Sequence, residues 1–195
     1  MRLHARSLEH DDAPFPSVAP RNWLQERLEL PALLTILAVP IGGRLLEIGC
    51  GRGVALPIFN RRVYPASITG IDVDQSALAD ARAHAHATGT RVDLRHADVR
   101  DLPFPAGAFD IVFDFGTCFH IADPDRALRE IARVLRPGGR FITETVFSQL
   151  LAHPLRTRGR PLPWHAAPSL RLVRHAGLWQ LRRRHEGSLE EAEGA

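Results

Sequence analysis

The feature that most constrains this chain is the run LLEIGCGRG at residues 45–53. An apolar stretch is followed there by three glycines at alternate positions. Because glycine lacks a side chain and tolerates a positive φ, a glycine turn after a buried strand lets a ligand approach the backbone. The run therefore predicts a strand, a ligand-binding turn and a helix, and the open question is which ligand the turn holds.

Strand-like and helix-like patterns alternate through the rest of the chain. The predicted strands are residues 44–48, 67–71, 91–96, 109–113 and 140–147. The predicted helices between them are residues 54–62, residues 75–88 after an Asp74 cap, and a segment that begins at Asp123-Pro124. This alternation predicts an α/β fold, a doubly wound, Rossmann-like and mainly parallel sheet of six or seven strands with helices on both faces. Ligands of such sheets bind beyond the carboxyl ends of the strands, where the glycine turn lies.

Length and composition limit the class of protein. A chain of 195 residues with 45% hydrophobic residues can form one domain with a sizeable core. No apolar run approaches the roughly 18 residues of a membrane span, and the first residues do not resemble a secretory signal. Two cysteines fit a reducing compartment, so a cytoplasmic location is expected. A net charge of +3 is weak support for nucleic-acid binding.

The glycine turn disfavours a phosphate-bearing ligand. A dinucleotide fingerprint that starts at Gly49 would need its last glycine at position 54, which is Val54, and no Gly-Lys-Ser/Thr follows for a P-loop. Glu47 precedes the turn, and its carboxylate would repel a pyrophosphate but suit a cation. S-adenosylmethionine has no phosphate and carries an ammonium and a sulfonium, so it fits the turn.

Acidic residues end the next two predicted strands. Asp72 follows the glycine turn by about 20 residues, the spacing at which a carboxylate bonds ribose hydroxyls. Asp98 is placed where its carboxylate would accept a hydrogen bond from the amino group of an adenine, and Val99 would pack on the adenine ring. The alternative for both carboxylates is an ordinary turn residue at a strand end.

From Leu45 to about Phe147, the chain resembles class I S-adenosylmethionine-dependent methyltransferases of the small-molecule type. LLEIGCGRG resembles the first motif of that family, ITGIDVDQSAL the second, HADVRDLPFPAGAFDIVFDFGTCFHI the third and fourth, and ALREIARVLRPGGRFI the helix, turn and strand that follow. The resemblance implies that the cofactor-binding residues are Glu47, Gly49, Cys50, Gly51, Gly53, Asp72, Val73, Asp98, Val99, Asp114 and Phe115. It also implies S-adenosyl-L-methionine as the cofactor and S-adenosyl-L-homocysteine as the product, with no metal.

The resemblance also sets a domain plan. We expect a mobile arm at residues 1–19, a single methyltransferase domain at 20–186 and a disordered tail at 187–195. Within the domain, residues 20–40 form a helical cap, 44–147 the cofactor-binding core, and 148–186 an acceptor-side segment that includes the last strand. The family sheet ends in an antiparallel hairpin, but residues 169–176 have a helical pattern here and the tail SLEEAEGA lacks alternation. We therefore expect one hairpin strand at 178–184 and an incomplete hairpin.

The acceptor side is harder to predict. His120, just past the fourth strand, is the candidate general base, and its alternative is a histidine packed under the loop. Trp23, Phe119 and His153 are predicted to line the acceptor pocket, and Phe115, Phe119 and Cys118 to form an apolar wall.

We expect a methyltransferase for a small organic acceptor, with no membrane partner and no nucleic acid, and a homo-oligomer is left open. The alternatives are an RNA or protein methyltransferase, a non-catalytic partner subunit of another methyltransferase, and a nicotinamide-dependent oxidoreductase.

Overall fold

A computed structural model describes residues 30, 34–35, 41–144, 162–175 and 178–183. Leu30, Leu34 and Thr35 are helical. The predicted arm, most of the predicted cap, residues 145–161 and the tail lie outside the described residues.

Seven strands form one sheet in the order β3-β2-β1-β4-β5-β7-β6. The strands are β1 (Arg44–Ile48), β2 (Ser67–Asp72), β3 (Asp93–His96), β4 (Phe109–Asp114), β5 (Leu135–Glu144), β6 (Leu170–His175) and β7 (Leu178–Arg183). The helices are α1 (Leu56–Arg62), α2 (Gln75–Ala87), α3 (Thr117–His120) and α4 (Pro124–Val134), with a 3-10 turn at Trp164–Ala166. Strands β1 to β5 are parallel, and β7 and β6 add to β5 as an antiparallel hairpin. The predicted doubly wound sheet is confirmed, and its order reverses between β1 and β4.

Local sequence signals determine where the two longer helices begin. The Asp74 carboxylate accepts hydrogen bonds from the backbone N–H groups of Ser76 and Ala77, at 2.8 and 3.3 Å, and caps α2. Asp123 caps α4 through the N–H of Arg126 at 3.1 Å. Both predicted caps are confirmed. The four-residue helix α3 was not predicted, since a single turn leaves no periodic pattern in the sequence.

Strand β5 begins earlier than predicted. Leu135 pairs with Phe109, and pairing then shifts and resumes at Arg140 opposite Ile111. The Pro137-Gly138-Gly139 segment forms the irregularity between them, and Gly138 has a φ of 75°. A proline cannot donate to the ladder and glycine permits the positive φ, so the turn signal that we expected before the strand is a bulge within it.

The expectation of an incomplete hairpin is wrong. Residues 169–176 were predicted to be helical, but β6 occupies Leu170–His175 and pairs with β7. Strand β7 in turn pairs with β5 from Arg140 opposite Arg182 to Glu144 opposite Leu178. The hairpin partner therefore precedes β7 in the chain, and the tail is not needed to supply it. The six residues LRLVRH alternate only from Leu170 to Leu172 before Val173 breaks the period, so the pattern was too short to decide between a helix and a strand.

Each face of the sheet carries a hydrophobic core. One cluster includes Leu46, Ile48 and Val112 and packs on α4. The other includes Leu45 and Phe113 and packs on α1. These alternating residues of β1 and β4 point to opposite faces, as the two-residue period of a strand requires. With both faces covered, the carboxyl edge of the parallel strands is the open place for a ligand.

Candidate active site

The three glycines of the turn after β1 have different surroundings. Gly49, Gly51 and Gly53 have φ values of 62°, 50° and 73°, a region that favours glycine. A Cβ atom on Gly49 would lie 1.9 Å from Oγ1 of Thr117, and one on Gly53 would lie 2.9 Å from Leu56. A Cβ atom on Gly51 would meet no atom of the described residues within 4 Å. Gly49 and Gly53 therefore make room for the protein itself, and Gly51 is the glycine with open space beside it.

Asp72 ties the end of β2 to this turn. Its Oδ2 accepts a hydrogen bond from the backbone N–H of Gly51 at 2.7 Å, and its Oδ1 accepts from the N–H of Asp74 at 2.9 Å. Each carboxylate oxygen has a second lone pair, so Asp72 can still accept from ligand hydroxyls. The half-buried Asp72 thus orients the turn at the edge where we predicted a ribose.

Glu47 is a buried carboxyl on β1, two residues before the first glycine of the turn. The residue is 4% exposed, and its Oε2 has no hydrogen-bond partner among the residues that the structure describes. Burial raises the pKa of Glu47 well above its ordinary value, and the negative charge of Asp72 raises it further. A buried carboxyl without a counter-charge is costly, so a cation that reaches it would be stabilised. Burial and the same two carboxyls also raise the pKa of the Cys50 thiol, which stays neutral.

Asp98 is paired with Arg100, a neighbour that is not among the predicted site residues. The guanidinium of Arg100 donates to both Asp98 oxygens at 2.5–3.0 Å, and its backbone N–H donates to Oδ1 at 2.8 Å. These bonds hold the pKa of Asp98 below its ordinary value. Val99 is buried in the core cluster that packs on α4, and the carbonyl of Val73 lies 2.9 Å from Nε2 of His96. The Asp-x-Arg spacing was the available signal for Arg100.

Asp114 is the most enclosed carboxyl of the predicted set. It has no exposed surface, and burial raises its pKa above the ordinary value. Its Oδ2 accepts from the hydroxyl of Thr143 at 3.2 Å and from the N–H of Cys118 at 3.4 Å, while Oδ1 has no partner in the described part of the chain. Burial and Asp114 also raise the pKa of the Cys118 thiol. Nothing in the sequence pattern pointed to Thr143.

The predicted apolar wall is not formed as one surface. Phe115 stacks with Phe113 at 5.7 Å between ring centroids and belongs to the cluster on α1. Phe119 and Cys118 belong to the cluster on α4. The rings of Phe115 and Phe119 therefore belong to the cores on opposite faces of the sheet. His120 ends α3 and is exposed. Trp23 and His153 lie outside the described residues.

Two further features are missing from the part of the chain that the structure describes. No helix there has the length and apolar character to cross a membrane. No group of three or more His, Cys, Asp or Glu side chains in that part of the chain is arranged to hold a metal ion.

Comparison with known proteins places this geometry in a family. A family model described as a methyltransferase domain matches residues 46–143, which hold the turn and all three aspartates above. A Mycolicibacterium smegmatis protein named as a probable S-adenosylmethionine-dependent methyltransferase is 32% identical over 92% of this chain and 74% of its own length. The chain belongs to the class I S-adenosylmethionine-dependent methyltransferases.

Other relatives of this methyltransferase differ in their acceptors. A phosphatidylethanolamine N-methyltransferase of Cereibacter sphaeroides is 37% identical over 55% of the chain and 53% of its own length. Further relatives are named as O-methyltransferases of ubiquinone biosynthesis. The chain spans about half the length of these N- and O-methyltransferases. The crystal structure of the cyclase SpnF is 36% identical, with a TM-score of 0.54 over 69% of this chain and 48% of that one.

Proposed function

We propose that this methyltransferase binds S-adenosylmethionine at the carboxyl edge of β1 and β2 and transfers its methyl group to a small organic acceptor. The observation that carries the proposal is the buried Oε2 of Glu47, which has no hydrogen-bond partner among the described residues and belongs to the strand that leads into the turn of Gly51. A cationic cofactor compensates such a carboxyl, whereas a pyrophosphate would be repelled by it.

The residues present fit the cofactor. Gly51 leaves space for close approach to the backbone, and Asp72 keeps free acceptor capacity for ribose hydroxyls. Arg100 uses the acceptor positions of Asp98, so we propose that Asp98 serves the adenine end by holding the loop after β3 in place. No metal is proposed, since the set of donors needs none.

The protein's own part in the reaction is alignment. S-adenosylmethionine supplies a methyl group bonded to a good leaving group, and holding an acceptor in line with it contributes about 7–11 kcal/mol. The exposed His120 is the proposed base when the acceptor is a hydroxyl. Trp23, Phe119 and His153 are proposed to line the pocket. Relatives named for both N- and O-methylation support a small acceptor, without choosing its atom.

A product-release assay tests this proposal. S-adenosylhomocysteine is measured across phenols, amines, carboxylates and RNA, because a fold shared with a cyclase does not by itself fix the reaction. We expect turnover with at least one small acceptor and none with RNA. Two results would contradict the proposed function. One is turnover with RNA and with none of the small acceptors, and the other is binding of the cofactor without turnover of any acceptor.

His120→Ala is then compared on the best acceptor with His86→Ala, an exposed histidine at the end of α2. For a hydroxyl acceptor, we expect a fall in kcat of about 100-fold or more for His120→Ala and no change for the control. Equal turnover of the two variants would remove His120 from the mechanism.

A further inference from the structure

The short helix α3 rests directly on the glycine turn. The hydroxyl of Thr117 donates to the carbonyl oxygen of Ile48 at 3.2 Å. The same hydroxyl occupies the space that a side chain on Gly49 would need, at 1.9 Å from the ideal Cβ position. The first glycine of the turn is therefore required by contact with Thr117, and the position of α3 and the shape of the turn are coupled.

The helix cannot hold this position by itself. It has four residues, and a single turn is unstable in water because nucleation fixes several residues for one hydrogen bond. It is preceded by Gly116 at a φ of 105°, which offers no side-chain cap. Tertiary contacts must therefore fix α3.

Asp114 provides those contacts at the start of the helix. Its carboxyl accepts from the N–H of Cys118 at 3.4 Å, and the hydroxyl of Thr143 on β5 donates to the same oxygen at 3.2 Å. The carboxyl is fully buried, so water does not compete for its hydrogen bond with the N–H of Cys118, four residues further along the chain. Strand β5, through Thr143, thus helps to hold α3 against β1.

The chain just beyond α3 is also held. The guanidinium of Arg100 donates to the carbonyl oxygen of Ala122 at 3.4 Å while it is paired with Asp98. Helix α3 therefore spans from the glycine turn, at its start, to the loop of Asp98, just past its end. Phe119 and His120 are the residues carried between these two anchor points.

We propose that Asp114 is a positioning residue, which together with Thr143 fixes α3 so that Thr117 closes on Gly49 and the turn keeps its cofactor-binding shape. The inference rests on the proposed function, since it assigns to this turn the binding of S-adenosylmethionine. Asp114 itself has no exposed surface and acts through Thr117.

The test measures the dissociation constant of S-adenosylhomocysteine by titration calorimetry. Thr117→Val keeps the side-chain volume but loses the hydroxyl, and we expect it to weaken binding about tenfold. Thr117→Ser keeps the hydroxyl and should restore nearly wild-type affinity. Thr90→Val is the matched control, because Thr90 is a buried, hydrogen-bonded threonine after α2 and should bind as the wild type does.

Asp114→Asn is combined with Thr117→Val in a double-mutant cycle. If the two residues act as one unit, the double variant binds S-adenosylhomocysteine as well as the single variant with the lower affinity does. Independent, multiplying effects would contradict the proposal. So would single variants that lower the melting temperature but leave the dissociation constant unchanged.

Failure of the proposed function is seen separately, in a wild-type protein that does not bind S-adenosylhomocysteine at all. If Asp114→Asn does not fold, Thr143→Val, which removes the hydroxyl that donates to Asp114, takes its place in the cycle with Thr117→Val, with the same expected outcome. Failure of serine to restore the affinity lost with valine would overturn the proposal.

Discussion

At the scale of single residues, the motif glycines and carboxyls do different work from one another. Gly51 borders open space, whereas the space beside Gly49 and Gly53 is occupied by Thr117 and Leu56, respectively. The spacing of the glycines predicted the turn, but it could not show which glycine has open space where a side chain would be. That depends on a contact from α3, almost 70 residues further along the chain.

Asp72→Asn tests the residue that orients the turn. An amide keeps one acceptor oxygen, so the N–H of either Gly51 or Asp74 loses its partner. Hydrogen bonds to a charged group contribute about 1.5–3 kcal/mol, and we expect binding of S-adenosylhomocysteine to weaken by about 10- to 100-fold. Asp93→Asn, on the exposed surface of β3, is the calorimetric control. Unchanged affinity in Asp72→Asn would show that the carboxylate does not support the turn.

Glu47→Gln tests the buried carboxyl through pH. Between the ordinary and the raised pKa of Glu47, the folded protein binds a proton that the unfolded chain has released. Stability of the wild type therefore falls as pH rises through that interval. The variant lacks this slope, so its gain in free energy of unfolding over the wild type should be larger at about pH 8 than at about pH 5. Urea denaturation measures it, and an equal difference at both pH values would contradict the assignment.

The same variant should bind S-adenosylhomocysteine more weakly, although it is the more stable protein. A carboxyl that is unfavourable in the empty fold is then retained for its ligand. Improved stability together with unchanged affinity would leave Glu47 without a role at the site.

At the scale of elements, caps were readable from sequence and short or irregular pieces were not. Asp74 and Asp123 predict the starts of α2 and α4, because a capping side chain bonds to N–H groups within three residues of its own position. The bulge in β5 and the strand identity of β6 are decided by partners distant in sequence. Arg140 pairs with Ile111, and Leu172 pairs with Leu181, only when the strands of the sheet come together.

Asp123→Ala tests the cap of α4. Asp123 has a φ of 59° and accepts from the N–H of Arg126, so alanine loses the cap and is strained in that backbone region. We expect the free energy of unfolding to fall by about 1–2 kcal/mol. Asp123→Asn retains both the acceptor and the tolerance of positive φ, and should remain within a few tenths of the wild type in urea denaturation. An equal loss in both variants would mean that the charge, and not the cap, matters.

Gln180→Pro tests the hairpin. Gln180 lies in β7 between Ile142 of β5 and Arg174 of β6, and proline at that position has no N–H for the ladder. We expect a loss of soluble yield and a lower melting temperature. Gln180→Thr keeps the N–H and favours a strand, so it should behave as the wild type. A well-folded proline variant would contradict the placement of β7 inside the sheet.

At the scale of the whole molecule, the fold is a family property and the acceptor is not. The alternation of strands and helices was sufficient to predict the parallel sheet, because each βαβ unit has few allowed connections. The cofactor edge followed from the sheet. The acceptor side could not be predicted in the same way, because no pattern of strands and helices specifies the acceptor. Two of its candidate residues, Trp23 and His153, lie outside the described residues.

The central claim is that the turn after β1 holds a cationic adenosyl cofactor and not a dinucleotide. Titration calorimetry of the purified protein with S-adenosylmethionine, S-adenosylhomocysteine and NAD tests it most directly. We predict one-site binding of the first two and no binding of NAD, because Glu47 favours a cation and Val54 stands where a dinucleotide turn needs glycine. Binding of NAD without binding of either adenosyl compound would contradict the claim.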